Sequence, residues 1–346
     1  MDQVLAHPPQ SELFLPGRAT QLTILEELIH DLCRDYDISN RDIVSENWKQ
    51  YAGFHTTDKQ ERTWGKGVMI GTRNNLHNRK LALNYLQQGK EVVAITHGEV
   101  ANSVMDEPPF GYAERTLCTT LIDYGDFDAD GQYNVPIFQP RQRFYRSAPV
   151  ARSIHRPSDN ICPPIRQSCR ALYIPTTYTG NGLYGPFHIY EDSLYKRWQQ
   201  VLFKSFPGLT LKAHPKSRSE PPASLTVERR RLEDCMDDYE LIVFDYFATG
   251  SMLALVSDKP VIYFDIGLRR LHPKFVRELK SRCEHAKIDL NSDISRQVKA
   301  TLARFWSGGA SQTNTGIAPY ALCEESQFSW FGLFKSVARG APPPWQ

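Results

Sequence analysis

Between Leu209 and Asp265 the chain reads LTLKAHPKSRSEPPASLTVERRRLEDCMDDYELIVFDYFATGSMLALVSDKPVIYFD. Three short apolar runs stand out, Leu209–Ala213, Leu241–Phe244 and Val261–Phe264. Each stops at residues able to hold an anion or a hydroxyl: His214-Pro215-Lys216, Asp245 through Ser251, and Asp265. Runs of four or five aliphatic and aromatic residues separated by helical segments read as parallel strands buried on both faces. Ligands of such sheets sit at the carboxyl ends of the strands, where these polar clusters fall. The stretch therefore reads as a nucleotide-binding half-site.

The rest of the chain alternates in the same way. Glu12–Pro16 reads as a strand, Thr20–Tyr36 as a helix with Leu22, Leu25, Leu28, Ile29 and Leu32 on one stripe, and Asp42–Glu46 and Gly67–Gly71 as strands. A helix over Asn78–Gln88, Gly89 as its C-cap and a strand at Val92–Thr96 follow. Polar residues again lie at strand ends, Thr72-Arg73-Asn74 and His97-Gly98-Glu99. From Phe138 to Ser168 prolines and arginines break the pattern, which predicts an interdomain connection. A second unit opens with the strand Arg170–Pro175, the glycine-rich loop TTYTGNGLYGP and a helix over Asp192–Lys204. It closes with helices near Ile294–Phe305 and Gln327–Val337. The expected domains are 1–139 on the acceptor side, a linker at 140–168, a nucleotide-binding domain at 169–325 and a C-terminal helix and tail at 326–346. The fold class expected is α/β: two Rossmann-like, doubly wound parallel-sheet domains facing across a cleft, the GT-B plan.

Composition narrows the classes. The chain has 346 residues, 41% of them hydrophobic and 23% charged, the balance of a folded protein with core enough for two domains. A net charge of +2 gives no overall field to gather nucleic acid, so no nucleic-acid partner is expected. Arg141, Arg143, Arg146, Arg152, Arg156, Arg166 and Arg170 do concentrate positive charge in the 141–170 segment, a place for peripheral membrane association or simply a solvated face. The seven cysteines, at 33, 118, 162, 169, 235, 283 and 323, are odd in number and form no CxxC pair, which predicts a reducing compartment and no zinc site. The first residues, MDQVLAHPPQSELF, have an acid and prolines where a secretory leader has its apolar stretch, and no run nears the roughly 20 apolar residues of a membrane span. A cytoplasmic protein, at most peripheral at the inner face of the membrane, is expected.

His214-Pro215 stands at a strand end, where an imidazole can donate to a phosphate or a ribose, and Lys212 and Lys216 add charge beside it. A second copy, His272-Pro273-Lys274, shows that the tripeptide alone is weak evidence. In Asp245-Tyr246-Phe247-Ala248-Thr249-Gly250-Ser251 a strand ends and a helix begins. Hydroxyls and free N–H groups there suit a phosphate, with Gly250 allowing close approach. Plain helix capping by Ser or Thr is the other use of the same residues. The order strand–HP, helix, D-x(3)-TGS-helix, KPVIYFD resembles the C-terminal domain of bacterial GT-B transferases that use cytidylyl-activated donors. These are the CMP-sialic acid and polysialic acid transferases, the CMP-Kdo transferases of capsule and O-antigen assembly and, more distantly, the CDP-glycerol polymerases. The resemblance runs from Arg170 to about Leu271. It implies that His214, Pro215, Thr249, Gly250 and Ser251 hold the cytidine nucleotide of a CMP-sugar donor. One imidazole, one helix N-terminus and the nearby lysines suit the charge of such a donor without a metal.

Sugar transfer to a hydroxyl needs a base, and His97 or Glu99 can serve. A retaining course needs an attacking carboxylate, for which Glu99 and Asp192 are candidates, although Asp192 also fits a helix-capping acid. Arg73 could meet the carboxylate of an acidic sugar. Asp126-Phe127-Asp128-Ala129-Asp130-Gly131 opens like a calcium loop, but position twelve is Ile137 where a bidentate Glu is required. The same acids resemble the acidic-acidic-glycine motif that supplies the base in some HP-type sialyltransferases, with Ala129 in place of one acid, so Asp130 stays a catalytic candidate beside a metal-binding D-x-D of the GT-A kind and an ordinary surface turn, the reading favoured most. The expected function is transfer of Kdo or another nonulosonic acid from its CMP donor to a glycan or lipid-linked glycan acceptor. The alternatives are a CDP-glycerol or CDP-ribitol phosphotransferase and a non-catalytic scaffold of the same shape.

Overall fold

The computed structural model describes residues 65–71, 76–96, 103–104, 116–125, 140, 142–162, 169–176, 192–214, 225–307 and 312–323. By backbone contact the chain divides into two compact units, Met1–Ala94 with Leu117–Thr120 and Trp330–Gln346, and Ile95–Thr116 with Leu121–Ser329. The expected elements at Glu12–Pro16, Thr20–Tyr36, Asp42–Glu46 and Gln327–Val337 lie outside the described residues.

The first sheet has the order β1-β2-β3-β4, with β1 at Gly67–Ile70, β2 at Glu91–Ile95, β3 at Thr120–Tyr124 and β4 at Gln142–Arg146. β1 and β2 run parallel, Val68 level with Val92, joined through helix α1 at Leu76–Gln87. Gly89 ends that helix as expected: its φ of +66° is one that glycine alone adopts without strain, and its N–H returns to Leu86 O. The 140–168 segment is not featureless. It holds β4 and a short helix α2 at Pro149–Ile154. Arg143 there pairs with the buried Asp123 at 2.7 Å, and Arg146 lies over the Tyr124 ring, 4.5 Å from its centroid. These two arginines are committed to the sheet, while Arg152 and Arg156 are exposed.

The second sheet carries six strands and every pairing in it is parallel. They are β5 Ala171–Ile174, β6 Leu209–Lys212, β7 Val227–Glu228, β8 Leu241–Phe244, β9 Val261–Asp265 and β10 Glu284–Lys287, in the order β10-β9-β8-β5-β6-β7. From β5 the chain steps outward to β6 and β7, crosses back to β8 on the other side of β5, and continues to β9 and β10. This is the doubly wound order, with its reversal between β5 and β8. Helices α3 (Asp192–Ser205), α4 (Leu232–Cys235), α5 (Thr249–Val256), α6 (Pro273–Arg282) and α7 (Ile294–Trp306) connect these strands or follow them.

Alternate strand residues feed two cores. Leu172, Ile242, Phe244 and Tyr263 pack with α5 and α6 through Met252, Leu255, Phe275 and Leu279. Ala171, Tyr173, Leu241, Val243 and Ile262 pack with α3 and α7 through Trp198, Leu202, Val298 and Phe305. Burial on both faces explains why these strands read as continuous apolar runs. Helix α5 is apolar all round after Ser251 because it too is enclosed. Its carboxyl end is closed by Arg282, wholly buried, whose Nη2 lies 2.8–3.0 Å from the carbonyls of Ala254, Ser257 and Lys259 and whose Nε donates to Leu255 O. His155 and Asn314 complete the closure on Val256 O at 2.8 and 3.1 Å.

Candidate functional site

The carboxyl edge of β8 leads through Asp245, Tyr246, Phe247 and the extended Ala248 into α5. The first turn of α5 thus opens at the strand ends, with N–H groups that a helix cannot satisfy from within. Thr249 is exposed there. Gly250 lies against Ile174, the last residue of β5: a methyl group in its place would come within 3.2 Å of Ile174 Cγ2 and 3.5 Å of Leu232 Cδ2. This contact sets the positive end of α5 over the end of β5, at the reversal of strand order, where doubly wound sheets bind their ligands.

Two neighbours that sequence places in the ligand set are turned inward. The Ser251 hydroxyl donates to Tyr246 O at 2.5 Å and accepts from Ala248 N–H at 3.3 Å, so it shapes the turn ahead of the helix. Asp245 is 1% exposed. It accepts from Tyr173 Oη, from Tyr195 Oη at 3.0 Å and from Trp198 Nε1 at 2.7 Å. Burial raises its pKa to about 6, against the pull of those three donors. Asp245 therefore fastens the strand end in place of presenting its oxygens to a ligand.

β6 ends at Lys212, and Ala213 N–H still pairs with Glu228 O before the half-buried His214. The Lys212 ammonium folds back onto Ala213 O at 3.0 Å. Burial lowers its pKa, while Cys235 and Glu228 act the other way. His214 and Thr249 do not stand on adjacent strands, as the sequence order suggests, because β5 lies between β6 and β8. Their strand ends are two spacings apart, about 9–10 Å. Pro215 and Lys216 lie outside the described residues, as do His97, Glu99, Arg73 and Asp130. Asp192 is the first residue of α3. The second His-Pro copy has a structural use: His272 caps α6, its Nδ1 accepting from Lys274 N–H at 3.1 Å.

Strand order adds one signal that residue-by-residue reading passed over. The loop between β5 and α3 contains Gly180, Gly182 and Gly185 in the spacing G-x-G-x-x-G. That spacing is a sequence signature of phosphate-bearing ligands where it follows a strand; the three glycines lie outside the described residues. Among the described residues no group of His, Cys, Asp and Glu could hold a metal ion, and no helix is long and apolar enough to cross a membrane.

No protein family and no curated protein matches the sequence. Among solved structures the fold is similar to the glycotransferase of kitacinnamycin, with 10% identity, 85% of this chain and 76% of that chain covered, and a TM-score of 0.37. It is also similar to the spinosyn forosaminyltransferase SpnP, with 13% identity, 81% and 73% covered, and a TM-score of 0.36.

Proposed function

We propose that the chain binds a cytidine nucleotide at the ends of β5, β6 and β8 and acts as a GT-B glycosyltransferase, moving an acidic sugar such as Kdo from its CMP donor to a glycan acceptor. The observation that carries the reading is the packing of Gly250 on Ile174, which sets the first turn of α5 at the switch point of the sheet. A monophosphate suits one helix N-terminus and one imidazole, so Thr249, Gly250 and His214 are the proposed phosphate and ribose contacts. In the transfer, the acceptor oxygen forms a bond to the anomeric carbon as the bond from that carbon to the phosphate oxygen breaks. The electron pair leaves with CMP, whose growing charge the helix terminus stabilises. The acceptor proton goes to His97 or Glu99, with Asp130 the remaining base candidate. Asp192 or Glu99 would be the attacking carboxylate of a retaining course.

The spacing of Gly180, Gly182 and Gly185 in the sequence between β5 and α3 favours a second reading, a CDP-linked donor with two phosphates. Calorimetry with CMP, CDP, UDP and ADP on the unsubstituted protein and on His214→Ala separates these readings. Tightest binding of CMP, lost in His214→Ala, is expected. Tighter binding of CDP, with phosphorus in the product, would favour the second reading, and binding of UDP or ADP alone would remove both. Cytidine nucleotide bound without turnover of any cytidine donor would leave a scaffold.

A further inference from the structure

Helix α3 sends three side chains beneath the switch point, and one of them reaches beyond Asp245. The Tyr195 hydroxyl donates to Asp245 Oδ1 at 3.0 Å and accepts from the backbone N–H of Thr176 at 3.0 Å. Thr176 is buried two residues past the end of β5, where the glycine-rich loop begins. Around this bridge, Trp198 Nε1 holds Asp245 Oδ2 at 2.7 Å, and Tyr173 Oη accepts from Gln199 Nε2 at 3.1 Å while itself donating to Asp245. The three elements that meet at the reversal of strand order, β5, α3 and the turn after β8, are thus joined through polar atoms that are wholly enclosed. A buried donor or acceptor left without its partner is costly, so these bonds hold the Thr176 backbone in one place relative to Asp245.

We propose that Tyr195 is a positioning residue of the nucleotide site. Through Asp245 and the Thr176 amide it fixes the root of the loop between β5 and α3 relative to the first turn of α5, and so presets the spacing into which the nucleotide phosphate fits. The proposal rests on the nucleotide-binding reading above. Tyr195 touches no reacting atom, and its effect is carried by the backbone at Thr176.

The test compares Tyr195→Phe with Tyr173→Phe, each of which removes one hydroxyl from Asp245, only the first of which also removes the acceptor that Tyr195 gives the Thr176 N–H. Hydrogen exchange of the Thr176 amide, followed by NMR, is expected to speed up at least tenfold in Tyr195→Phe, with Leu172 in β5 unchanged, and to stay within about twofold in Tyr173→Phe. CMP affinity, measured well below the melting temperature, is expected to fall about tenfold in Tyr195→Phe. Its low-pH limb should also move to higher pH, because Asp245 loses one of the donors that favour its ionised form. The groups that face Asp245 are Tyr173 from β5, Tyr195 and Trp198 from α3, and Tyr263 from β9. Equal exchange at Thr176 in the two variants would overturn the proposal, whether or not any nucleotide binds. So would an unchanged affinity and pH limb accompanied only by a lower melting temperature. An unsubstituted protein that binds no cytidine nucleotide defeats the nucleotide reading instead, and the Thr176 exchange still decides whether Tyr195 fixes the loop root.

Discussion

The two ends of α5 carry opposite partial charges, and the surrounding chain treats them differently. At the carboxyl end Arg282, wholly buried, spreads its guanidinium over the last carbonyls, with His155 and Asn314 beside it. Burial lowers its pKa to about 10, so it stays cationic at neutral pH, where a cation complements the negative end of the helix. At the amino end Thr249 is exposed, and Ser251 uses its hydroxyl on the turn ahead of the helix. One end is sealed by protein groups and contributes to stability. The other opens at the strand ends, where the proposed nucleotide phosphate would sit, so changes there should act on binding more than on folding.

The largest expected effect is at the sealed end. Arg282→Met removes the guanidinium from the carbonyls of Leu255 and Lys259 and leaves Ala254 O and Ser257 O to the Ser257 hydroxyl and Asn314 alone, and should lower unfolding free energy by roughly 3 kcal/mol, read from urea denaturation. A loss under about 1 kcal/mol would break the comparison, since the closure would then be dispensable.

Next in size is the group beneath the open end. Asp245 has a folded pKa of about 6 against an ordinary 3.8, so this group contributes stability that is fully present below pH 3.8 and is lost as pH rises through 6. The melting temperature of the unsubstituted protein relative to Asp245→Asn should therefore increase as pH falls from 7 to 4. A difference that stays constant with pH would mean that Asp245 keeps an ordinary pKa.

Much of this was legible beforehand. β5, β6, β8 and β9 announce themselves because burial on both faces demands short, mostly apolar runs, α3 is found as a helix over nearly the expected residues, and the helix expected to begin within Asp245–Ser251 starts at Thr249. β10, with the sequence EHAK, and the two-residue β7 lie at the sheet edges and carry no such run. β4, QRFYR, reads as a basic linker because its arginines are matched by Asp123 and Tyr124, about twenty residues away in sequence. The inward turn of Asp245 was hidden for the same reason: Tyr195 and Trp198, which enclose it, lie 50 and 47 residues earlier. Periodicity tells where a strand ends, whereas the direction of the next side chain depends on partners that only the fold brings near.

Smaller effects belong to the open end itself. Gly250→Ala gains about 1 kcal/mol of helix propensity but presses a methyl group to 3.2 Å from Ile174 Cγ2, so its stability should change by less than about 1 kcal/mol while CMP affinity drops about tenfold. Thr249→Ala, at an exposed site, should leave stability within about 0.5 kcal/mol and weaken CMP about three- to tenfold, the worth of one hydrogen bond. Melting curves beside calorimetric titrations check both. Two variants that unfold readily yet bind normally would invert the roles of the two ends.

The most direct test of the open end is a crystal structure with CMP bound. The expected result places the phosphate within hydrogen-bonding distance of the Thr249 and Gly250 N–H groups, with His214 on the phosphate or the ribose. CMP seated away from the ends of β5 and β8, with the first turn of α5 facing only solvent, would contradict the assignment.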